Sequence, residues 1–387
     1  MDHAHFLTRN VVDALPAGEL EKKLTLGRPL RVKLGLDPTT ADIHLGHTVV
    51  LQKLREFQDL GHKVVLIVGD STARVGDPSG RSKTRPVVSG EEIDSNLRTY
   101  TEQAMKVLLD DPSLLEVRRN SEWLDMPMED FFRLARVATA AQILERDDFA
   151  KRWAAREPIT ILELLYPLLQ GYDSVAVKAD VELGGTDQKF NLLLARDIQR
   201  AYGAPEQVVL TMPLLVGTDG VEKMSKSLGN YVGVTDTAED MYGKTLSVPD
   251  EAMGTWSKLL DVELPAGAGP RDAKHALARA IVERFHDAGA ADGAAAHFER
   301  VFVQRDVPED LEEATFAPSN GTVHVPALIA ETFGGSRSEA RRLLAQGGVK
   351  VDGEPLGADE QDVAAERLDG AVLQVGKRRF RRLRRAA

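Results

Sequence analysis

The sequence predicts an α/β fold in which a parallel sheet is followed by a helical region and then by a small mixed segment. Residues 31–36 alternate apolar and other side chains as in a strand, and the turn at 37–42 separates them from a helical pattern that begins at Leu45. The run 63-KVVLIVGD-70 has the continuous apolar character of a strand buried on both faces. Strand, helix and strand in this order form a βαβ unit, from which a parallel sheet begins.

We expect further helices and strands to complete this sheet and to interrupt it once. Ser89 and Glu92 form a capping box, which predicts a helix that ends near Leu109. The other predicted elements are a helix over 128–145, a strand over 180–185, a helix over 187–201 and a strand over 208–213. The two helices before residue 180 are expected to form an insertion in the sheet domain.

The pattern changes after the last predicted strand of the sheet. A glycine-rich loop follows, residues 237–302 are helical in period and rich in alanine, and 317-APSNG-321 predicts a linker. We therefore expect three domains. They are an α/β domain over 1–218, a loop and helical domain over 219–316, and a small α+β domain over 322–387.

Composition excludes several classes of protein. The 387 residues include no cysteine, which excludes disulfides, thiolate nucleophiles and cysteine-ligated zinc. The longest apolar runs, such as residues 64–68, are too short to cross a bilayer, and residues 1–10 lack the pattern of a secretory or transit peptide. We expect a cytoplasmic protein.

Charge is distributed unevenly along the chain. Although the net charge is −11, residues 323–387 contain twelve Lys and Arg against nine Asp and Glu. The densest basic run comprises Lys377, Arg378, Arg379, Arg381, Arg382, Arg384 and Arg385. Taken alone, such a run is either a solvated tail or a surface for nucleic acid.

A histidine motif, 44-HLGH-47, lies at the start of the first predicted helix. Helix N-termini attract anions through unpaired N–H groups, and Gly46 allows a nucleotide to approach the backbone closely. Two imidazoles can donate hydrogen bonds to phosphate oxygens, which suits a displacement catalysed by positioning and charge stabilisation. By itself the tetrapeptide would also fit two surface or core histidines.

A second motif, 223-KMSKS-227, lies in the glycine-rich loop. Two lysines and two hydroxyls on a mobile loop can close over a triphosphate and withdraw afterwards. An ordinary exposed loop would carry the same residues. The combination of the two motifs, each next to a strand of the predicted sheet, favours the functional interpretation.

Three polar residues lie on one face of an otherwise apolar helix. Tyr166, Gln170 and Asp173 follow the spacing i, i+4 and i+7, which places them side by side. They could form a solvent-facing stripe, or they could line a pocket that needs a polar substrate, since an unmatched buried polar group costs about 1–3 kcal/mol. The segment 184-GGTDQ-188 then lies at the carboxyl end of a strand, where open α/β sheets bind ligands.

Together these motifs resemble those of a known family. HLGH followed by KMSKS resembles the two signatures of class I aminoacyl-tRNA synthetases. With LGLDPTTADIHLGH at 34–47, GDPSG at 76–80, YxxxQxxD at 166–173 and GGTDQ, the chain resembles tyrosyl-tRNA synthetases over nearly its whole length. The resemblance implies a Rossmann-type catalytic domain with a helical insertion, an α-helical anticodon-recognition domain and an S4-like RNA-binding domain.

The resemblance also implies a reaction and the residues that carry it. Tyrosine and ATP would give tyrosyl-adenylate and pyrophosphate, and the terminal ribose of tRNA would then take the tyrosine. Tyrosine binding would involve Gly35, Asp77, Tyr166, Gln170, Asp173 and Gln188, with Asp173 accepting from the phenol. ATP binding would involve Asp37, Gly46, His47, Gly185, Asp187, Met224, Ser225, Lys226 and Ser227. The catalytic residues would be Thr39, His44, His47, Lys223 and Lys226. One departure stands out, because many bacterial members of the family carry a Tyr, a second phenol partner, where this chain has Lys33.

The C-terminal segment 336–356 resembles the S4-type RNA-binding fold. Its expected RNA contacts are Arg337, Arg341, Arg342, Lys377, Arg378 and Arg379. The resemblance implies a homodimer, and we expect Mg²⁺ to arrive with ATP, with no metal held by the protein alone.

Three other functions remain as alternatives. A tryptophanyl-tRNA synthetase would share the fold, although Asp173 and the S4-like segment favour tyrosine. A nucleotidyltransferase that makes a small-molecule adenylate would share HxGH but not the helical and basic C-terminal parts. A catalytically silent RNA-binding relative would not need intact HLGH and KMSKS motifs.

Overall fold

The computed structural model describes residues 2–38, 42–78, 96, 99–304, 311–319, 321–357, 359–376 and 379–386. It forms two compact units, Met1–Ala294 and Ala295–Ala387.

The first unit is built on a six-stranded sheet. Its strands are β1 (Asp13–Leu15), β2 (Arg31–Leu36), β3 (Lys63–Val68), β4 (Leu115–Arg119), β5 (Val181–Gly185) and β6 (Val208–Met212). The order across the sheet is β1-β6-β5-β2-β3-β4, and all neighbours are parallel except β1, which pairs antiparallel with β6. The chain builds outward from β2 on one side and returns to its other side with β5. Ligands of such sheets bind where this reversal opens a crevice at the carboxyl ends of the strands.

Helices cover the sheet and extend the first unit beyond it. They are His3–Leu7, Glu19–Leu24, Leu45–Asp59, Thr72–Val75, Ser121–Leu124, Met128–Ala135, Ala140–Leu144, Asp147–Ala154, Ile161–Ala176, Lys189–Ala201, Ala238–Leu246, Asp250–Leu259, Pro270–Phe285 and Ala288–Phe298. Two short 3₁₀ helices, Thr186–Gln188 and Lys226–Leu228, lie in the loops that carry GGTDQ and KMSKS.

Most of the expected elements of the sheet domain are confirmed, with one clear error. The predicted helix over 128–145 is wrong, because the structure breaks it at residues 136–139. The Thr139 hydroxyl accepts a hydrogen bond from the Gln142 N–H at 3.2 Å and so begins a new helix. The capping box at Ser89 and Glu92 lies outside the described residues, and the described end of that helix is at residue 104, before Leu109.

The described residues of the second unit form two small sheets and four helical segments. Its strands are β7 (Glu313–Phe316), β8 (Thr322–His324), β9 (Val349–Val351), β10 (Glu354–Pro355), β11 (Asp362–Ala364), β12 (Val372–Val375) and β13 (Arg379–Arg385). Its helices are a π-helical segment Glu299–Gln304 and the α-helices Val325–Phe333, Arg337–Ala345 and Ala365–Leu368. The main sheet has the order β10-β9-β12-β13-β7, and β8 pairs with β11.

The segment at 317–321 connects two strands of this second unit. β7 lies before the segment and pairs in parallel with β13, so the chain has already entered the unit when it reaches residue 313. Phe316, buried at the end of β7, packs into the same apolar core as Val325 and Leu383. The predicted linker therefore lies within the C-terminal unit and does not separate it from the preceding domain.

Candidate active site

The HLGH motif forms the N-terminus of helix Leu45–Asp59. His44 is the N-cap residue, and its Nδ1 accepts a hydrogen bond from the Gly46 N–H at 3.2 Å. His47 Nδ1 accepts from the His44 N–H at the same distance of 3.2 Å. Because each Nδ1 acts as an acceptor, the ring proton of each histidine is assigned to Nε2. Each ring thus keeps one N–H donor for another partner.

Both imidazoles of the motif are neutral at physiological pH. Burial, followed by the nearby His47, lowers the pKa of His44 to about 2. Burial and then the charge of Lys226 lower the pKa of His47 to about 4. Neutral rings can lie against each other, with centroids 3.9 Å apart, without repulsion between like charges. They can act as hydrogen-bond donors but do not supply positive charge.

Gly46 is the point where the two signature motifs meet. A Cβ atom at this position would lie 3.0 Å from the His44 ring and 3.5 Å from Met224 Cβ. The Gly46 N–H also lies 3.3 Å from Met224 Sδ. A side chain here would therefore press against the ring of the N-cap histidine and fill the space beside the methionine of KMSKS.

Backbone hydrogen bonds join the start of the HLGH helix to the segment after KMSKS. Leu45 N–H donates to Val232 O at 2.9 Å, and Val234 N–H donates to Ile43 O at 3.0 Å. Within the loop, Asn230 Oδ1 accepts from the Ser225 N–H at 2.8 Å, while its Nδ2 donates to Asp219 at 2.7 Å. The sequence did not indicate Asn230, whose buried amide fixes the course of the loop.

The two lysines of KMSKS are held by carboxylates. Lys223 Nζ lies 3.1 Å from Asp187 Oδ2, and Lys226 Nζ lies 2.7 Å from Asp42 Oδ2. The hydroxyls of Ser225 and Ser227 are 2.8 Å apart. A bound phosphate would compete with these carboxylates, since it offers the lysines a stronger anion.

Tyr166 projects from helix Ile161–Ala176 toward the end of β2. Its hydroxyl donates to Asp37 Oδ2 at 2.9 Å, and the other oxygen of Asp37 accepts from Thr72 Oγ1 at 2.7 Å. Burial, followed by the carboxylate of Asp37, raises the pKa of Tyr166 well above its usual value. The Tyr166 phenol is therefore a neutral hydrogen-bond donor. Nearby, a Cβ on Gly35 would meet no atom within 4 Å, so this part of β2 borders open space.

A chain of amides continues along the same helix face. Gln188 Nε2 donates to Asp77 Oδ2 at 2.8 Å, and Gln170 Nε2 donates to Gln188 Oε1 at 3.3 Å. Asn191 Nδ2 donates to Gln170 Oε1 at 2.8 Å and to Gln188 Oε1 at 3.1 Å. This arrangement brings together Asp77, Gln170 and Gln188 from three distant parts of the chain. Asn191, which holds both glutamines, was not predicted.

Gly185 ends β5 beside Asp187. A Cβ atom on this glycine would lie 2.6 Å from Asp187 Oδ1 and 2.8 Å from Leu214 Cδ2. A side chain at this position would therefore displace the Asp187 carboxylate and the end of the Leu214 side chain.

Asp173 is buried one turn beyond Gln170. Its Oδ1 accepts a hydrogen bond from Trp123 Nε1 at 2.8 Å. Burial raises the pKa of Asp173 to about 7, although the charge of Lys33 and the hydrogen bonds of Trp123 and Asn120 oppose this rise. Neither Trp123 nor Asn120 was predicted, because the sequence did not indicate which loop would close this end of the helix.

Two protein families match separate N-terminal and C-terminal parts of this chain. The family model described as tRNA synthetases class I (W and Y) matches residues 25–303, and that of the S4 domain matches residues 326–359. The tyrosine-tRNA ligase of Moorella thermoacetica is 50% identical over 395 residues, which cover 97% of this chain and 94% of that protein. This chain belongs to the tyrosyl-tRNA synthetase family.

Two further relatives support the membership in this family. The tyrosine-tRNA ligase of Thiobacillus denitrificans is 48% identical and covers 99% of each chain. The tyrosyl-tRNA synthetase of Archaeoglobus fulgidus, solved with L-tyrosine, superposes with a TM-score of 0.64 at 25% identity and covers 75% of this chain and 98% of its own. A mitochondrial tyrosyl-tRNA synthetase of Aspergillus nidulans shares the fold, with a TM-score of 0.64 at 21% identity over 78% of this chain and 93% of its own.

The S4 domain of this synthetase presents arginines on one helix and one strand. Arg337, Arg341 and Arg342 are exposed on helix Arg337–Ala345. Arg379 begins β13, with its guanidinium 5.6 Å from the Phe333 ring. Lys377 and Arg378, like Thr39 in the catalytic part, lie outside the described residues.

Two features are absent from the described ranges of the synthetase. No group of three or more His, Asp or Glu side chains there is arranged to hold a metal ion. None of the helices in the described part of the chain is long and apolar enough to cross a membrane.

Proposed function

We propose that this synthetase activates tyrosine with ATP in the crevice beside β2 and β5 and then transfers it to tRNA. The observation that carries the proposal is the contact of HLGH with KMSKS at Gly46 and Met224. Lys223 of the same loop pairs with Asp187, and the adjacent Gln188 accepts a hydrogen bond from Gln170 of helix Ile161–Ala176. Phosphate-binding groups and amino-acid-binding groups are thereby neighbours. An adenylate forms only where both substrates meet.

The polar face of helix Ile161–Ala176 binds tyrosine in this proposal. Asp77, Tyr166 and Gln170 hold the ammonium group, Gln188 lies near the carboxylate, and Asp173 accepts the phenol proton. Asp77 and Asp37 supply negative charge for the ammonium. The amide chain through Asn191 fixes both glutamines before the substrate arrives, which lowers the cost of ordering them.

The HLGH and KMSKS motifs bind ATP and stabilise the transition state. The neutral Nε2–H groups of His44 and His47 donate to phosphate oxygens, while Lys223 and Lys226 exchange their carboxylate partners for the pyrophosphate group. The tyrosine carboxylate attacks the α-phosphorus, and the developing charge passes to the pyrophosphate that leaves.

Further groups hold ATP in this proposal. They are the backbones at Gly46 and Gly185, the carboxylates of Asp37 and Asp187, and Thr39, Met224, Ser225 and Ser227. Mg²⁺, bound to the ATP phosphates, would neutralise part of their charge.

The second step needs no covalent enzyme intermediate. A ribose hydroxyl at the 3′ end of tRNA attacks the adenylate carbonyl, and AMP leaves. We assign tRNA binding to the helical part after KMSKS and to the S4 domain. Arg337, Arg341, Arg342 and Arg379, together with Lys377 and Arg378, provide the contacts with phosphates. The three-domain division is retained, with the third domain extended to include β7.

We also propose a homodimer formed through the insertion between β4 and β5. Five of the eleven exposed large hydrophobic side chains among the described residues come from this part of the chain. They are Met128, Phe132, Trp153, Ile161 and Leu162. A monomer seldom exposes so many apolar side chains in one region, whereas an interface buries them. Sedimentation of the wild type and of a Phe132→Glu and Trp153→Glu variant tests this, since the variant is expected to sediment as a monomer.

Amino-acid-dependent pyrophosphate exchange with all twenty amino acids tests the proposed function. Exchange is expected with tyrosine far above all others. Exchange with tryptophan would indicate the related specificity, exchange with no amino acid would indicate a silent relative or another acyl substrate, and either result would overturn the proposal.

A further inference from the structure

Lys33 lies at the floor of the proposed tyrosine pocket and is fully buried. It stands in β2 directly opposite Glu182 of β5, and the pairing of the two strands ends with this pair. On its other side β2 stays paired with β3 as far as Leu36. The crevice between β2 and β5 therefore begins immediately beyond Lys33 and Glu182.

All three hydrogens of the Lys33 ammonium have acceptors within the protein. Nζ donates to Gln170 O at 2.9 Å and to Ser174 Oγ at 2.9 Å, and it lies 2.7 Å from Glu182 Oε1. An ammonium has three donors and no acceptor. Lys33 therefore has no hydrogen left for a substrate phenol and does not replace the missing second phenol partner directly.

Two of these acceptors belong to the helical turn that carries Asp173. Gln170 and Ser174 flank Asp173 in helix Ile161–Ala176. Ser174 Oγ also donates to Glu182 Oε2 at 3.0 Å, and Gln207 Nε2 donates to the same carboxylate oxygen. Lys33 of β2 and Glu182 of β5 therefore hold this helical turn in place through hydrogen bonds. A shift of Lys33 or Glu182 would move Asp173.

Charged and polar groups from several elements face Asp173. They are Lys33 of β2, Glu182 of β5, Asn120 and Trp123 after β4, Tyr166 on its own helix and, beyond Trp123, Arg118 at 5.4 Å from the indole ring. Lys33 and Glu182 act in opposite directions, since Lys33 lowers the pKa of Asp173 and Glu182 raises it. Of these two charges Lys33 has the larger effect.

We propose that Lys33 is a positioning residue that determines specificity for tyrosine: it fixes the Asp173 turn and, with Glu182, sets the charge that Asp173 presents to the phenol. This inference rests on the proposed role of Asp173 as the phenol acceptor. An ionised Asp173 accepts the phenol O–H. A protonated Asp173 loses this capacity on that oxygen, while phenylalanine is indifferent to the change.

The test is the pH profile of the ratio of kcat/KM for tyrosine to kcat/KM for phenylalanine in pyrophosphate exchange. Groups that affect both amino acids cancel in this ratio, and the wild-type ratio should fall as pH drops through about 7, where Asp173 takes up a proton. Lys33→Met should move the midpoint of this pH profile to higher pH by about one unit. Glu182→Gln should move it to lower pH by a smaller amount, because Lys33 has the larger effect on Asp173. A purely structural role would not produce shifts of opposite sign.

Lys33→Met leaves Glu182 buried without its cation and could fail to fold. The double variant Lys33→Met with Glu182→Gln removes both charges, and its midpoint should move upward by less than that of Lys33→Met alone. The matched control is Lys53→Met with Glu56→Gln, a second largely buried pair at 2.5 Å, which should leave the midpoint unchanged. A midpoint that stays fixed in Glu182→Gln and in the double variant, or moves the same way in both, overturns the inference.

The variant Asp173→Asn distinguishes the proposed role of Lys33 from the proposed role of Asp173 as the phenol acceptor. In this variant the ratio of kcat/KM for tyrosine to kcat/KM for phenylalanine should fall sharply and no longer depend on pH. If Asp173→Asn instead keeps the wild-type ratio and profile, the role of Asp173 as phenol acceptor fails. If the ratio collapses there but the Lys33 and Glu182 variants behave as wild type, only the role of Lys33 fails.

Discussion

The two halves of the crevice differ in how their side chains are held. In the half that we propose binds tyrosine, Asp173 is 3% exposed, and it and the glutamines are hydrogen-bonded to neighbouring side chains. In the half that we propose binds phosphate, the side chains of Lys223 and Lys226 are 43% and 19% exposed and pair with carboxylates from other loops. A pocket whose groups are already fixed can select its ligand, because it rejects molecules that leave a group unpaired. Lysines that can change partner are suited to charge that develops during the reaction.

The largest expected effect is in the phosphate half. Lys226→Ala should lower the turnover of pyrophosphate exchange by about 10²- to 10³-fold, the range for loss of one preorganised donor in a transition state. KM for tyrosine should change little, since Lys226 does not contact the amino-acid pocket. Steady-state kinetics at saturating ATP measure both values. Lys22→Ala, which removes an exposed lysine paired with Glu19, is the control and should behave as wild type.

The next effect is in the tyrosine half. Asp173→Ala should lower the ratio of kcat/KM for tyrosine over phenylalanine by roughly 5- to 150-fold, which corresponds to about 1–3 kcal/mol for the loss of one buried hydrogen bond. Enzymes of this family are the usual example of rejecting an analogue that lacks a hydroxyl, so the direction follows an established rule. The measurement is exchange with each amino acid, and an unchanged ratio would mean that another group reads the phenol.

A smaller effect is expected from the S4 domain. Arg341→Ala with Arg342→Ala should weaken tRNA binding and flatten the plot of log affinity against log salt by about 0.7–0.9 for each phosphate that the variant no longer neutralises. Pyrophosphate exchange should not change, because both small substrates bind elsewhere. Aminoacylation across a salt series tests this prediction. Equal salt slopes for wild type and variant would remove these arginines from the tRNA surface.

The smallest expected effect tests whether the carboxylates compete with ATP for the lysines of KMSKS. Asp42→Asn removes the anion that pairs with Lys226, so Lys226 is more available to ATP. The KM for ATP should fall by roughly 1.5- to 5-fold, which corresponds to the 0.2–1 kcal/mol of a partly exposed ion pair. Titration of ATP at saturating tyrosine gives the value. A higher KM would indicate that Asp42 assists ATP binding.

Local sequence patterns predicted the parts of the fold with strong periodicity. β2, helix Leu45–Asp59 and β3 were predicted from alternation, helical spacing and an apolar run. β1 and β4 were missed because they are short strands at the two edges of the sheet, and both carry charged residues. β7 was missed for a related reason, since only its pairing with β13 makes the four residues a strand.

The sequence indicated candidate site residues where they occur in contiguous motifs. HLGH, GGTDQ and KMSKS indicated the proposed phosphate half, and helical spacing indicated Tyr166, Gln170 and Asp173. Contacts between distant segments were not predictable, because sequence alone does not specify strand register or loop closure. The pairing of Lys33 with Glu182 depends on register, and the contact of Trp123 with Asp173 depends on how one loop closes.

The most direct test of the division between the two halves is the ratio of kcat/KM for tyrosine to kcat/KM for phenylalanine in Lys226→Ala. If the tyrosine pocket determines specificity and Lys226 only stabilises the transition state, kcat/KM should fall by the same factor for both amino acids. The ratio should then stay within about twofold of the wild-type value, because both transition states lose the same interaction. A ratio that falls together with the rate, as in Asp173→Ala, would contradict the division.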